Sequence, residues 1–199
     1  TKGSGKTPFS RTADGRLTLK GAVREILAAE MLAGLNVNTS RSFSVIETGE
    51  HLDRHDEPSP TRSAVLVRLS HSHIRIGSFQ RLAYMDDLDG IEVLARHVAR
   101  YYFSDPEEVA DGQLSGLDAD APLADLLPDL LSRVSAAIAN TVGSWLAAGF
   151  VHGVLNTDNF NVTGESFDYG PWRFLPQFNP ICHSRGIKYF SREWKKLTK

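Results

Sequence analysis

Apolar positions recur along this 199-residue chain with two periods, and the periods predict its elements. Over residues 22–34, Val23, Ile26, Leu27 and Met31 return at helical spacing, and Gly34 suits the helix end. Arg24 and Glu25 flank that stripe, so Glu25 reads first as a solvated charge. Residues 42–48 predict a strand and 51–61 a polar, Pro-containing loop. Ala64–Leu69 is β-branched and apolar, as an inner strand is, with Arg68 interrupting it. His73–Phe79 alternates Ile74 and Ile76 around Arg75 and predicts another strand. Residues 87–102 predict a helix with Leu88, Ile91, Leu94, Ala95, Val98 and Tyr102 on one side. Residues 105–121 are acidic, contain Pro and Gly, and predict a loop. The strongest helical signal runs over 122–149, with a broad apolar face from Leu123 to Leu146. Pro128 is tolerable there only in the first turn. Residues 160–168 predict a short hairpin turning at Gly164, which brings Asn159 and Asp168 to one end of a two-stranded ribbon.

Composition narrows the classes. The length suits one domain or two small lobes. A formal charge of −2 supplies no basic field for nucleic acid. No apolar run approaches the roughly 18 residues of a membrane span, so neither nucleic acid nor membrane is an expected partner. The single Cys182 rules out an internal disulfide and a Cys-based zinc cage. The expected compartment is a reducing one: the cytoplasm for a bacterial protein, the mitochondrion for a eukaryotic one. No signal peptide opens the chain, which starts without Met and reads as an internal or truncated piece. Arg192, Lys195, Lys196 and Lys199 read as a solvated tail.

Three stretches carry candidate chemistry. Gly5-Lys6-Thr7 imitates the end of a P-loop, but Pro8 and a poor helix sequence follow, so a plain loop is the better reading. Arg68 and Arg75 interrupt apolar strands. They are either edge arginines reaching water or a guanidinium pair converging on an anion, and the pattern favours the edge. The third stretch organises the chain: His152-Gly-Val-Leu-Asn-Thr-Asp158-Asn159, with Asp168-Tyr-Gly behind it. Protein kinases hold metal with the Asn of H-R-D-x-x-x-x-N and the Asp of D-F-G. Here the His-to-Asn spacing is kept and Asp168-Tyr-Gly stands in the D-F-G place. The kinase base is replaced by Val154, which accepts no proton, and Asp158 stands beside the metal-type Asn instead.

These residues resemble the selenoprotein O family of kinase-fold protein adenylyltransferases. The resemblance runs through Lys2-Gly-Ser-Gly-Lys-Thr-Pro-Phe-Ser-Arg, Asp14-Gly15-Arg16, Val23-Arg-Glu25, Arg68 and His73-Ile-Arg75-Ile-Gly-Ser-Phe79. It continues through His152–Asn159 and Asp168-Tyr-Gly-Pro171, covers most of residues 2–180, and loosens at Cys182-His-Ser and Gly186–Tyr189. It implies an α+β, protein-kinase-like two-lobed fold in incomplete form. Residues 1–85 would supply a partial N-lobe sheet with one helix, and 86–199 a partial helical C-lobe with the catalytic-loop hairpin. It implies that Lys2 pairs with Glu25 to position ATP phosphates. Asp14 and Gly15 would touch the nucleotide, and Arg68 and Arg75 would hold phosphates, against the edge reading. Asn159 and Asp168 would bind Mg²⁺, with Mn²⁺ the alternative, and Asp158 would be the proton acceptor. ATP would sit flipped relative to kinases, so that AMP passes to a protein Ser, Thr or Tyr and pyrophosphate leaves. The expected partners are ATP and proteins with acceptor hydroxyls. The glycine-rich loop upstream of Lys2, the large C-terminal portion and its redox-active Cys or selenocysteine are not in this sequence. The competing readings are a non-catalytic nucleotide-binding pseudokinase module, an ATP-dependent phosphotransferase, and a fragment that does not fold alone.

Overall fold

A computed structural model describes residues 1–176 apart from 9, 11, 106 and 109–113. The basic tail, Cys182 and the loosely matching segment beyond it lie outside the described residues. The described chain is α+β, with small sheets and four helices.

Strand β1 (Leu17–Thr18) runs straight into helix α1 (Leu19–Gly34). Thr18 caps the helix: its Oγ1 accepts from the Gly21 N–H at 3.0 Å, which satisfies one orphan donor of the first turn. The helix therefore starts three residues before its predicted first residue. At the other end Asn36, not Gly34, takes the left-handed conformation (φ 57°) that closes the helix. The buried face also differs from the expected one. Ala22, Glu25, Ala28, Ala29 and Leu32 are buried, whereas Val23, Leu27 and Met31 are 43%, 49% and 44% exposed. Small alanines let α1 lie close to its neighbours; of the stripe, Ile26 packs half-buried against Ala22, Ala64 and Leu66, and the other three residues face outward.

Strands β2 (Arg41–Leu52) and β3 (Thr61–Leu69) pair antiparallel, and β3 is central in the order β1-β3-β2. Strand β2 outruns its prediction because His51 and Leu52 pair with Arg62 and Thr61. Lys2 adds an isolated bridge to Leu66 on β3. Arg68, on the central strand and 7% exposed, is therefore not an edge arginine.

The predicted strand over 73–79 is a helix instead, α2 (Ile76–Tyr84). Its extended part shrinks to one bridge, Arg75 with Asn161. Ile74 and Ile76 imitate alternation because one precedes the helix and the other is its first residue. Helix α3 (Leu88–Tyr102) matches its prediction and is capped by Asp87, whose Oδ1 accepts from Gly90 N at 2.8 Å. Within the predicted loop that follows, β4 (Glu107–Glu108) and β5 (Leu114–Ser115) form a short ladder. Helix α4 (Leu123–Ala147) buries Leu126, Leu130, Val134, Ile138, Thr141 and Trp145. It begins at Leu123, so Pro128 sits in the second turn, later than expected, and withholds an N–H there.

The main core joins α1, α3, α4 and the segment after α4. There β6 (Phe150–His152) pairs with β7 (Trp172–Phe174). Trp145 anchors this region, with ring centroids 5.2 Å from Phe160, 5.4 Å from Phe150 and 5.5 Å from His152. The predicted hairpin turns at Gly164 (φ 82°) and is held by a Phe160–Ser166 bridge. Among the described residues no helix is long and apolar enough to cross a membrane.

Candidate functional site

The site is built around the carboxylate of Glu25, which α1 delivers 4% exposed. Its Oε1 accepts from Lys2 Nζ at 2.6 Å. Its Oε2 accepts from Arg68 Nη1 at 2.7 Å and from the Tyr169 N–H at 3.0 Å. A buried carboxylate is tolerated only when paired and hydrogen-bonded, and here the N-terminal segment, the central strand and the hairpin exit each supply a donor. Lys2 Nζ reaches on to Asp168 Oδ1 at 2.8 Å, so one ammonium bridges α1 and the hairpin exit. Burial pushes the Asp168 carboxyl up. The Lys2 ammonium, with Arg75 beyond it, outweighs that and holds it below the usual carboxylate range.

Arg68 is committed elsewhere than expected. Besides Glu25 it donates from Nη2 to Ser40 Oγ at 2.6 Å, and its guanidinium lies 5.4 Å from the Tyr169 ring centroid. Only its Nε has no hydrogen-bond partner. Arg75 is exposed, stacks 4.9 Å over the Phe167 ring, and has no carboxylate at ion-pair distance among the described residues. Lys2, Arg68, His73, Arg75, Ser78, Phe167 and Asp168 line a cavity of about 330 Å³, and Asp168 is the one acidic group on its wall. Three cationic side chains around one carboxylate make this cavity suited to anions.

His152 is not placed for proton transfer. Its Nδ1 accepts from the Val154 N–H at 3.2 Å and its Nε2 lies 2.8 Å from the Asp168 carbonyl oxygen. Those partners require the neutral Nε2–H tautomer, and burial, opposed by the Asp168 carbonyl, lowers its pKa in the same sense. The imidazole fixes the turn that presents Asp168. Val154, in the place of the kinase base, is 47% exposed.

Asn159 is buried, and its Nδ2 donates to the Val154 carbonyl, leaving Oδ1 as its remaining acceptor. Asn159 Oδ1 and Asp168 Oδ2 are both hard oxygen donors, although Asp168 lines the cavity and Asn159 does not. Mg²⁺ suits such a set, because it takes one or two protein ligands and completes its shell with phosphate and water. Asp158 sits at the start of α2: a Cβ on Gly77 would meet its Oδ1 at 2.2 Å. Asp158 lies outside the cavity wall.

Asp14 and Gly15 also lie off the cavity. The Asp14 carboxylate accepts from Arg16 N at 2.9 Å and pairs with Arg54 Nη1 at 2.9 Å. The Arg16 N–H and then Arg54 hold its pKa down against slight desolvation. Gly15 (φ 69°) packs so closely on the Gly5 carbonyl that a Cβ would come within 2.3 Å. The P-loop imitation is excluded by the same segment: Ser10 N bonds Thr7 O in a turn, and the first helix begins only at Leu19. Sequence reasoning missed Ser40, which carries no signal. It also missed Phe167 and Ser78, which reach the cavity wall only once the hairpin and α2 are packed together.

A family model described as "Protein adenylyltransferase SelO" matches residues 1–191. Proteins named "Protein nucleotidyltransferase YdiU" are similar to this chain in several cyanobacteria. That of Trichodesmium erythraeum is 53% identical over 180 residues, covering 90% of this chain and 37% of the relative. Those of Trichormus variabilis and Gloeobacter violaceus are 50% and 51% identical over 192 residues, covering 96% of this chain and 37% of each relative. The chain thus spans just over a third of the length of these relatives.

Proposed function

Because this chain belongs to the SelO protein adenylyltransferase family, we propose that it carries the MgATP site of a protein adenylyltransferase on a protein-kinase-like fold. The protein transfers AMP from ATP to Ser, Thr or Tyr hydroxyls. The observation that carries this reading is Lys2 bridging Glu25 and Asp168 at 2.6 and 2.8 Å. A lysine held between a helix glutamate and the acid after the catalytic loop is the arrangement that positions ATP phosphates in kinases.

The proposed chemistry is an in-line displacement at phosphorus. The acceptor oxygen attacks the α-phosphorus, the bond from that phosphorus to the α,β-bridging oxygen breaks, and pyrophosphate leaves. The hydroxyl proton passes to the Asp158 carboxylate. Asn159 and Asp168 would hold Mg²⁺, which supplies neutralising charge on the phosphates. Lys2 and Arg75 bind the phosphate oxygens, Arg75 free to offer its fork and Lys2 as a point charge. Arg68 contributes chiefly by fixing Glu25. Val154 cannot take the proton, so the acceptor hydroxyl approaches from the Asp158 side, at the start of α2.

Incubation with Mg²⁺ and α-labelled ATP tests the reading. Label on protein, abolished by Asp158→Ala, is expected. Transfer from γ-labelled ATP alone would make the protein a phosphotransferase, and binding without any transfer would make it a non-catalytic module.

Gly77→Ala gives a subtler check on Asp158. The added methyl collides with Oδ1, the far end of the Asp158 side chain, which has to shift to make room. Transfer should fall roughly tenfold or more because the base is displaced, and a melting curve run in parallel reads any change in stability separately. Unchanged transfer would remove Asp158 from the mechanism.

A further inference from the structure

We infer that Asn161 and Glu165 are positioning residues of the nucleotide site, holding the arm that ends in Arg75 against the hairpin that carries Asn159 and Asp168. The inference rests on the nucleotide reading above. The arm is Ser70–Arg75, the link between β3 and α2. Its backbone meets the hairpin through Val162 N to Ile74 O at 2.9 Å, and Ile76 N, just past it, donates to Phe160 O at 3.1 Å. Those bonds set its far end only.

Side chains set the near end. Glu165 is 2% exposed. Its Oε2 accepts from Ser70 Oγ at 2.7 Å and His71 N at 3.0 Å, and its Oε1 lies 2.7 Å from His71 Nδ1. Asn161 is fully buried. Its Nδ2 donates to Ser72 O at 2.6 Å and Ser70 Oγ at 2.8 Å, while its Oδ1 accepts from Glu165 N at 3.1 Å. One amide therefore ties the arm with its nitrogen and shapes the hairpin turn with its oxygen.

An apolar side chain at 165 would fill the same space without desolvating a charge. What the buried carboxylate adds is direction, because its closest donors lie on the arm and fix where the arm lies. Burial would push the Glu165 carboxyl up, and the Ser70 and His71 donors outweigh it and hold it down, so the group stays ionised. The arm's payload is Arg75, whose guanidinium rests on Phe167, next to Asp168. A shift of the arm moves that guanidinium relative to the acid across the cavity. Neither Asn161 nor Glu165 lines the cavity, so both act through Arg75.

The test is a double-mutant cycle on the full chain, read by calorimetric titration with ATP and Mg²⁺. Asn161→Asp keeps the shape but turns an oxygen toward the Ser72 carbonyl. It is expected to weaken ATP binding about tenfold alone, and by less than about twofold in an Arg75→Ala background. If Asn161→Asp does not fold, Ser70→Ala, which cuts the link to both residues at a half-buried site, carries the same comparison. Equal losses in both backgrounds, or wild-type affinity in the single variant, would overturn the inference and leave the nucleotide reading standing. Failure of the unmodified protein to bind ATP would overturn both.

Discussion

Glu25→Leu should destabilise the chain by about 3–5 kcal/mol, the cost of leaving a buried charge without its partner. The carboxylate accepts from Lys2, Arg68 and Tyr169 N at once, and Arg68 has a side chain only 5% exposed. Lys2 is 29% exposed and can turn to water and to Asp168, so its loss is small. Arg68 is far less able to turn to water, since its side chain is 5% exposed and its other partners are Ser40 and the Tyr169 ring. Domains of this size hold roughly 5–15 kcal/mol in total, so thermal unfolding should move down by about 10 °C or more. Adding Arg68→Met removes the stranded guanidinium and should recover much of the loss. A single variant within about 1 kcal/mol of the unmodified chain would mean that Arg68 finds another partner, and that Glu25 does not hold the site together.

Asp168→Ala should do the opposite: leave the fold and remove the activity. Its side chain is 36% exposed and its bond to Lys2 is a partly solvated one, so stability should fall by no more than about 1 kcal/mol. His152 holds the Asp168 backbone carbonyl, not its side chain, so the turn survives. What disappears is the carboxylate on the cavity wall, flanked by Lys2 and Arg75. Adenylyl transfer should drop by about two to three orders of magnitude, in the range for removing one preorganised electrostatic contact. Parallel melting and label-transfer assays separate the two quantities. A large melting shift, or transfer that persists, would contradict the role given to Asp168.

The two variants divide the centre into a part that holds and a part that acts. Glu25 and Arg68 are buried and paired with each other, whereas Arg75 is exposed and Asp168 half-exposed at the cavity. Arg68 sits among the phosphate-holding candidates by resemblance, yet its fork is already occupied. Lys2 belongs to both parts.

Local spacing made much of this legible. Helices over 88–102 and 123–147 follow from their periodicity, as does the turn at Gly164, because the residues that define each lie within a few positions of one another. The run His152 to Asn159 with Asp168 behind it was legible for the same reason. The strand expected over His73–Phe79 failed because two isoleucines separated by one residue satisfy a period of two without forming a strand. Only the packing of Gly77 against Thr157 and Asp158 shows that a helix starts there.

The sequence by itself determined where the main helices run, which residue types cluster from His152 to Asn159, and that Arg68 and Arg75 must find a partner or reach water. The tertiary structure alone decided which face of α1 is buried, and with it the fate of Glu25. Val23, Leu27 and Met31 form the better apolar stripe, yet the face carrying Glu25 turns inward. The reason is long-range charge: Lys2 and Arg68, 23 and 43 positions away, meet Glu25 in space, and Lys2 reaches Asp168 across 166 positions. Amphipathic periodicity measures the transfer of apolar side chains from water. It does not register a carboxylate whose burial is offset by donors brought from distant parts of the chain.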